Sequence, residues 1–347
     1  MPVTHAPPAV ALLAPDDGTW LVGALMAVDR LVVSTGLLVL LGGAGFVAVA
    51  RLPTPAWQLT RRLEGRAWWL LRVAWWATLL GTLAGLLLHG PFTAGLPLSR
   101  TLDATLLAQT AGTRFGVIWA VRVLLLLLLV AFLQAWSERE AAWTRAGAWI
   151  AVGVLAAGLA VTPALSGHSA AGPDAAALGA VVGALHFSAA AVWFGGLVLL
   201  GTCMLPRADV GLLQAVPRFS SVAFTAMVVI VVTGVLQSWR QVGSLQALGH
   251  SAYGRLLVAK VAAFLLLIAF AGRSRVLVRR RLTARAFVGA AAPYQRVRGA
   301  APPGLSDDTD ARSLWLLRRL VLAEMATALV VLAVTALLGI ATPPRAA

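Results

Sequence analysis

The chain has 347 residues, of which 60% are hydrophobic and only 12% charged, and its mean hydropathy is +0.86. A soluble domain carries about 25% charged residues, so a soluble globule is excluded and an integral membrane protein is expected. The formal net charge of +15 does not point to nucleic acid, because the charges fall between apolar runs rather than on one face. Arg- and Lys-rich cytoplasmic loops give membrane proteins the same excess.

Arginine supplies nearly all of that charge, since Lys260 is the only lysine. The single cysteine, Cys203, excludes an intrachain disulfide and a multi-cysteine metal cage. No basic residue precedes an apolar stretch at the N-terminus, so no cleavable signal is expected.

Residues 1–30 read as an extracytoplasmic segment, rich in Pro and Ala, with His5, Asp16 and Asp17. Asp29-Arg30 interrupts the first apolar run, which places the first span near 31–50, long enough for a hydrocarbon core of about 30 Å. Residues 20–28 add an outer turn or a short interfacial helix. Further spans fall near 67–88, 115–135, 147–165, 177–201, 219–239, 254–272 and 317–341. The expected fold class is therefore all-α, a polytopic membrane helix bundle of about eight spans. Its first four-helix half covers 31–165 and its second covers 166–347.

Basic residues concentrate in alternate connections: Arg51, Arg61, Arg62 and Arg66; Arg139 and Arg145; Arg207 and Arg218; and the Arg-rich stretch 272–315. By the positive-inside tendency these are cytoplasmic, and both termini lie outside. The stretch 272–315 also holds Pro293, Pro302, Pro303, Asp307, Asp308 and Asp310, and it reads as a topology anchor against anionic lipid. Trp57, Trp68, Trp136, Trp143 and Trp315 fall near the inner interface, where amphipathic rings settle.

An internal match appears at an offset of 138 residues. Phe115-Gly116 with Arg122 repeats as Tyr253-Gly254 with Lys260, and Thr162-Pro163 has an echo in Thr342-Pro343. Two readings stay open: a 4+4 parallel repeat, known among transporters, or chance identities in an Ala/Leu-rich chain.

This topology puts all five histidines on the extracytoplasmic side. His5 lies on the tail, His89, His168 and His250 lie in or beside outward loops, and His186 lies about 12 Å down its span at about 1.5 Å per residue. Trp193 follows His186 at i+7 on the same stripe, and Gly195-Gly196 lets another helix approach closely. An ionisable residue within a span is a functional-site hypothesis by default, and imidazole suits copper, zinc, iron and nickel. His5 and His250 read as solvated. His186 is either a ligand or a core histidine bonded to another helix.

Charges inside spans form a second set. Arg122 and Lys260 lie about a third of the way in from outside, and Glu324 about a third in from the cytoplasm, sharing a face with Thr327, Val331 and Thr335. Ser221, Thr225, Thr233 and Gln237 mark another stripe. These groups are either interhelical hydrogen-bond partners or a polar path leading inward through Arg122, Lys260, Glu324 and Thr327. Met227 faces away from its stripe and is discounted as a ligand, while Met325 stays open. No G-x-S-x-G, phosphate-binding glycine loop or H-E-x-x-H is present, so no enzyme activity is expected.

The run SGH ending at His168, LHFSAAAVWFGGL around His186, PRFS (217–220), VTG (232–234), Tyr253-Gly254 with Lys260, and LRRLVLAE…TALLGIATPP (316–344) resembles the bacterial copper resistance protein D family. The resemblance covers 160–344 most strongly. It implies an inner-membrane copper transport or copper-handling protein of the bacterial cell, with a copper ion as cargo. It also implies a separate periplasmic C-type copper-binding partner, since this chain has no such soluble β domain. His168 and His186 match the family's motif histidines and become the metal-ligand candidates, with His89 as a third. Ligation needs neutral imidazole, so uptake is expected to weaken as pH falls through the histidine range. Two other classes remain: a haem-b-binding transmembrane redox protein, for which a second facing intramembrane histidine is missing, and a metal-free membrane assembly partner.

Overall fold

The structure is a computed structural model that describes residues 18–50, 57–137, 146–166, 176–205, 210–242, 245–278 and 308–341. Every regular element among them is helical. The helices are α1 (Thr19–Ala50), α2 (Trp57–Ala94), α3 (Ala104–Gly112), α4 (Arg114–Ser137), α5 (Ala146–Ser166), α6 (Ala176–Leu199), α7 (Val210–Val242), α8 (Leu245–His250), α9 (Ala252–Leu277) and α10 (Asp308–Ile340). A π turn, Leu200–Met204, extends α6. The protein is an all-α polytopic membrane bundle. Seven helices, α1, α2, α4, α6, α7, α9 and α10, are long and apolar enough to cross a bilayer, and α5 is shorter, apolar over 150–166.

Large apolar side chains such as Leu80, Ile150, Val154 and Val235 are exposed on the outside, as a lipid-facing surface allows. The core runs through the middle, where Leu37, Leu38, Leu126, Leu159 and Leu267 are fully buried. Helix α1 lies at its centre, packed on α2, α5, α6 and α10. Glycines set the closest approach. A Cβ on Gly195 of α6 would lie 2.5 Å from the Leu38 carbonyl oxygen and 2.8 Å from the Cα of Gly42, both on α1. Backbone meets backbone there, as the Gly195-Gly196 pair leads one to expect.

Two clusters define one end of the bundle. Met26, Ala27, Leu88, Phe92, Leu337 and Ile340 join the start of α1 to the ends of α2 and α10. Val242, Tyr253, Leu257 and Leu338 join the end of α7, the start of α9 and the same part of α10. At the opposite end, Phe46, Ala67, Leu70, Leu199 and Cys203 bring together α1, α2 and α6. The two are called the first end and the second end below.

Three expectations need correction. The first span does not begin at Leu31: α1 runs unbroken from Thr19, and Asp29, only 6% exposed, sits inside it. One buried carboxylate does not stop a helix whose own backbone bonds are complete. The second span does not end at Leu88, because α2 continues through His89 and Gly90-Pro91 to Ala94 and leaves His89 inside the helix beside the loop. Proline removes one N–H but leaves the helix intact so near its end. The stop comes at Gly95, whose φ of +62° lets Leu96 N–H donate to the Pro91 carbonyl at 2.9 Å, a Schellman turn. The Arg-rich connection is also shorter than 272–315: Arg273 and Arg275 lie on α9, and Asp308, Asp310 and Arg312 on α10. The connections 1–17, 138–145 and 279–307 and the Thr342-Pro343 pair lie outside the described residues.

The 138-residue offset has a structural counterpart. A short helix precedes a long one in both places, α3 before α4 and α8 before α9, and Arg114 and Ala252, which open the long ones, stand at that spacing. The caps coincide as well. Gly116 N–H donates to the Thr113 hydroxyl at 3.2 Å, and Gly254 N–H to the Ser251 hydroxyl at 2.8 Å. Each hydroxyl satisfies an otherwise orphaned helix N-terminus.

Candidate functional site

His186 lies ten residues along α6, half-buried. Its Nδ1 is 2.9 Å from the hydroxyl oxygen of Thr233 on α7. Thr233 also reaches backward along its own helix to the Val229 carbonyl at 2.5 Å and, more weakly, to Ile230 at 3.3 Å. A hydroxyl has one proton; when it goes to the Val229 carbonyl, Thr233 Oγ1 accepts from His186 Nδ1–H and the imidazole lone pair is on Nε2. Lys260 on α9 is close enough to act on His186 electrostatically.

A second polar neighbourhood lies where α1, α2 and α4 meet. The Asp29 carboxylate from α1 rests over Gly81 and Gly85 of α2, and the Trp119 ring from α4 meets it at Gly85, where a Cβ would strike both. Arg122 stacks over Trp119 at 5.2 Å and donates from Nε to the Thr162 hydroxyl of α5 at 2.9 Å. One turn from Gly85, the His89 ring stacks on Phe115, centroids 3.5 Å apart and 7° from parallel. Asp29 Oδ2, His89 Nδ1, Trp119 Nε1 and Arg30 Nε are all buried with no hydrogen-bond partner. Such a group costs about 1–3 kcal/mol when left unpaired, so four in one region call for a physical cause.

Toward the second end, Glu324 of α10 is 3% exposed and accepts a hydrogen bond from Ser274 of α9. The pair borders a cavity of about 180 Å³ whose walls include Trp193, Phe219, Phe224 and Met227. Arg275 crosses its rim, donating to the Ser220 carbonyl at 2.7 Å and lying over Phe224 at 4.2 Å.

His168 and His5 lie outside the described residues. His250 is exposed at the end of α8. The contacts place His89 and His186 in separate neighbourhoods, one on Phe115 and the other on Thr233. No group of three or more His, Cys, Asp or Glu side chains able to hold a metal occurs among the described residues. Thr327 and Thr335 spend their hydroxyl protons on the Ala323 and Val331 carbonyls of their own helix, at 2.8 and 2.7 Å. The expected α7 stripe divides: Thr233 is buried, whereas Ser221 and Thr225 are exposed. Met227 is buried in the core, and its place on the cavity wall near Glu324 was not anticipated.

Asp29 and Ser274 are the polar residues that the sequence reasoning passed over. The signal for Asp29 was present in Gly81 and Gly85, a small-residue pair four apart that opens a notch beside another helix.

Comparison with known proteins agrees with this architecture. Residues 213–338 match the family described as copper resistance protein D, and residues 19–180 match the copper resistance protein D-like N-terminal domain. The chain belongs to the copper resistance protein D family. It is also similar to the copper transport protein CutJ of Bacillus subtilis (strain 168), with 31% identity over 179 residues, 50% of this chain and 32% of that protein. The match thus spans about a third of the length of that curated relative. No solved structure matches the chain.

Proposed function

We propose that this protein is a copper transporter of the bacterial inner membrane that accepts the ion at its first end, facing outward, and passes it inward. The observation that carries this is the hydrogen bond from His186 to Thr233. A metal-ligating histidine normally donates its other ring N–H to a fixed oxygen, which sets tautomer and ring orientation. Thr233 supplies that oxygen from a neighbouring helix and leaves Nε2 as the ligand. His168, in the connection ahead of α6, joins it as the second ligand and receives copper first. A separate periplasmic C-type copper-binding protein delivers the ion to that outward mouth.

Inside, the polar path runs past Lys260 and Arg122 toward Glu324 and Thr327, and the cavity beside Glu324 is its inward station. The family membership and the resemblance to a copper transport protein over half of the chain support the choice of copper. The test is copper uptake into proteoliposomes, with wild type beside a His168→Ala, His186→Ala double variant. Loss of uptake and of copper binding in the variant is expected. Unchanged uptake and binding would overturn the proposal.

A further inference from the structure

Helices α7 and α9 part toward the second end of the bundle. Each packs closely on another partner, α7 on α6 and α9 on α10, and the two meet little. The cavity that borders Glu324 lies between them. Its α7 wall runs from Ser220 to Met227 and its α9 wall from Ile268 to Arg275, two turns of each helix, or about 10 Å along the axis. Its mouth faces sideways. Phe224 is 52% exposed, a Cβ on Gly272 would meet nothing within 4 Å, and Val228, Leu265 and Val276 around them are exposed apolar side chains. In a membrane bundle such a flank meets hydrocarbon, where no water is at hand.

The rim of this cleft carries positive charge. Arg275 stands in the last turn of α9 and reaches across the mouth, donating to the Ser220 carbonyl of α7 and lying over the Phe224 ring. A guanidinium has five N–H donors in a fixed fork, and the bond to Ser220 takes one of them. Arg218 on α7 and Arg273 on α9 are exposed within two residues of that bond. Among the described residues Glu324 is the only carboxylate on the cavity walls, and it is bonded to Ser274 at the back. Apolar walls that end at a cationic fork match the two parts of an anionic phospholipid, an acyl chain and a phosphate, and basic pockets between spans hold such headgroups. We propose that an anionic phospholipid occupies this cleft, with one acyl chain between α7 and α9 and its phosphate on Arg275. A zwitterionic lipid offers the same chain but carries its own cation beside the phosphate, so the arginines favour the anionic one. The chain covers the lateral side of the cavity, leaves Glu324 at the back, and seals the flank that α7 and α9 leave open. This lipid site goes beyond the transport reading and uses neither His168 nor His186.

The experiment uses the full-length purified chain in detergent, with dioleoyl phosphatidylglycerol and dioleoyl phosphatidylcholine as probes and native mass spectrometry as the readout. One phosphatidylglycerol per chain is expected, held at least about tenfold more tightly than phosphatidylcholine. Arg275→Gln should lose that preference and Arg275→Lys should keep most of it. Arg255→Gln, near the start of the same helix, should leave it unchanged. Gly272→Leu, which puts a side chain into the mouth, should weaken retention of phosphatidylglycerol at least about tenfold. Equal retention of the two lipids by the wild type, or a preference that survives both Arg275→Gln and Gly272→Leu, would overturn the site. Cross-linking of the wild-type chain gives a reading independent of those substitutions. Phosphatidylglycerol with a photoactivatable diazirine in its acyl chain, in vesicles of phosphatidylglycerol and phosphatidylcholine, should label Phe224, Met227 and Ile268 severalfold above Leu80 and Val235, which are exposed elsewhere on the bundle. Even labelling of the two sets would equally overturn it. None of these readouts involves copper, so failure here leaves the proposal for His168 and His186 standing.

Discussion

Gly42 and Gly195 bring the backbones of α1 and α6 into direct contact at the middle of the bundle. A Cβ at Gly195 would fall 2.9 Å from the Gly42 carbonyl carbon and nearer still to the Leu38 oxygen, and backbone atoms cannot swing aside as a side chain does. Gly195→Ala is therefore expected to destabilise the fold by about 1–3 kcal/mol, the usual cost of overpacking. Gly153→Ala on α5, where a Cβ meets nothing within 4 Å, serves as the control and should be neutral or slightly stabilising. Thermal unfolding of both variants in the same detergent checks the contrast.

Thr233→Val keeps the shape of the side chain and removes the oxygen that orients His186. Copper binding should weaken about 10–100-fold, the usual loss on removing an outer partner of a ligating histidine. His186→Ala should lose that site's affinity altogether. Titration of purified protein distinguishes the two, and a Thr233→Val variant that binds like wild type would remove the orienting role.

The caps at Thr113 and Ser251 make the same bond to glycines three residues on. Thr113→Ala and Ser251→Ala should each cost about 1 kcal/mol, with similar shifts in unfolding temperature. A large effect at one cap and none at the other would argue against equivalent roles for the α3–α4 and α8–α9 corners.

Ser274 is the hydrogen-bond donor to the buried Glu324. Ser274→Ala leaves that carboxylate without its partner and should destabilise by about 1–3 kcal/mol. Adding Glu324→Leu to Ser274→Ala should recover much of the loss, since a pair replaced by apolar groups no longer strands a buried polar atom. A double-mutant cycle on thermal stability measures the coupling, and strictly additive effects would show that the bond contributes nothing.

Apolar run length made the bundle legible, because lipid-spanning helices need long hydrophobic stretches and little else. The Gly195 contact was legible for a related reason: paired small residues in a span announce a close neighbour. Asp29-Arg30 misled because charge was read as an interruption, whereas tertiary packing on Gly81 and Gly85 accommodates the carboxylate inside a continuous helix. The end of the second span was set too early at Gly90-Pro91, which terminates many helices but here sits one turn before the true stop. The His186–Thr233 bond joins residues 47 positions apart, and such a pairing depends on how α6 and α7 rotate against one another, which local pattern does not carry. The short helices α3 and α8 are invisible to hydropathy because neither crosses the bilayer.

Arg122 and Thr162 join α4 to α5 over 40 residues of chain, and Arg122 is 3% exposed although Val121 and Leu124 beside it face outward. The bond keeps a positive charge turned away from lipid and fastens α5 to the rest of the bundle. Without the Thr162 hydroxyl, α5 would lose its polar anchor to α4 and the guanidinium would be left to seek the membrane surface.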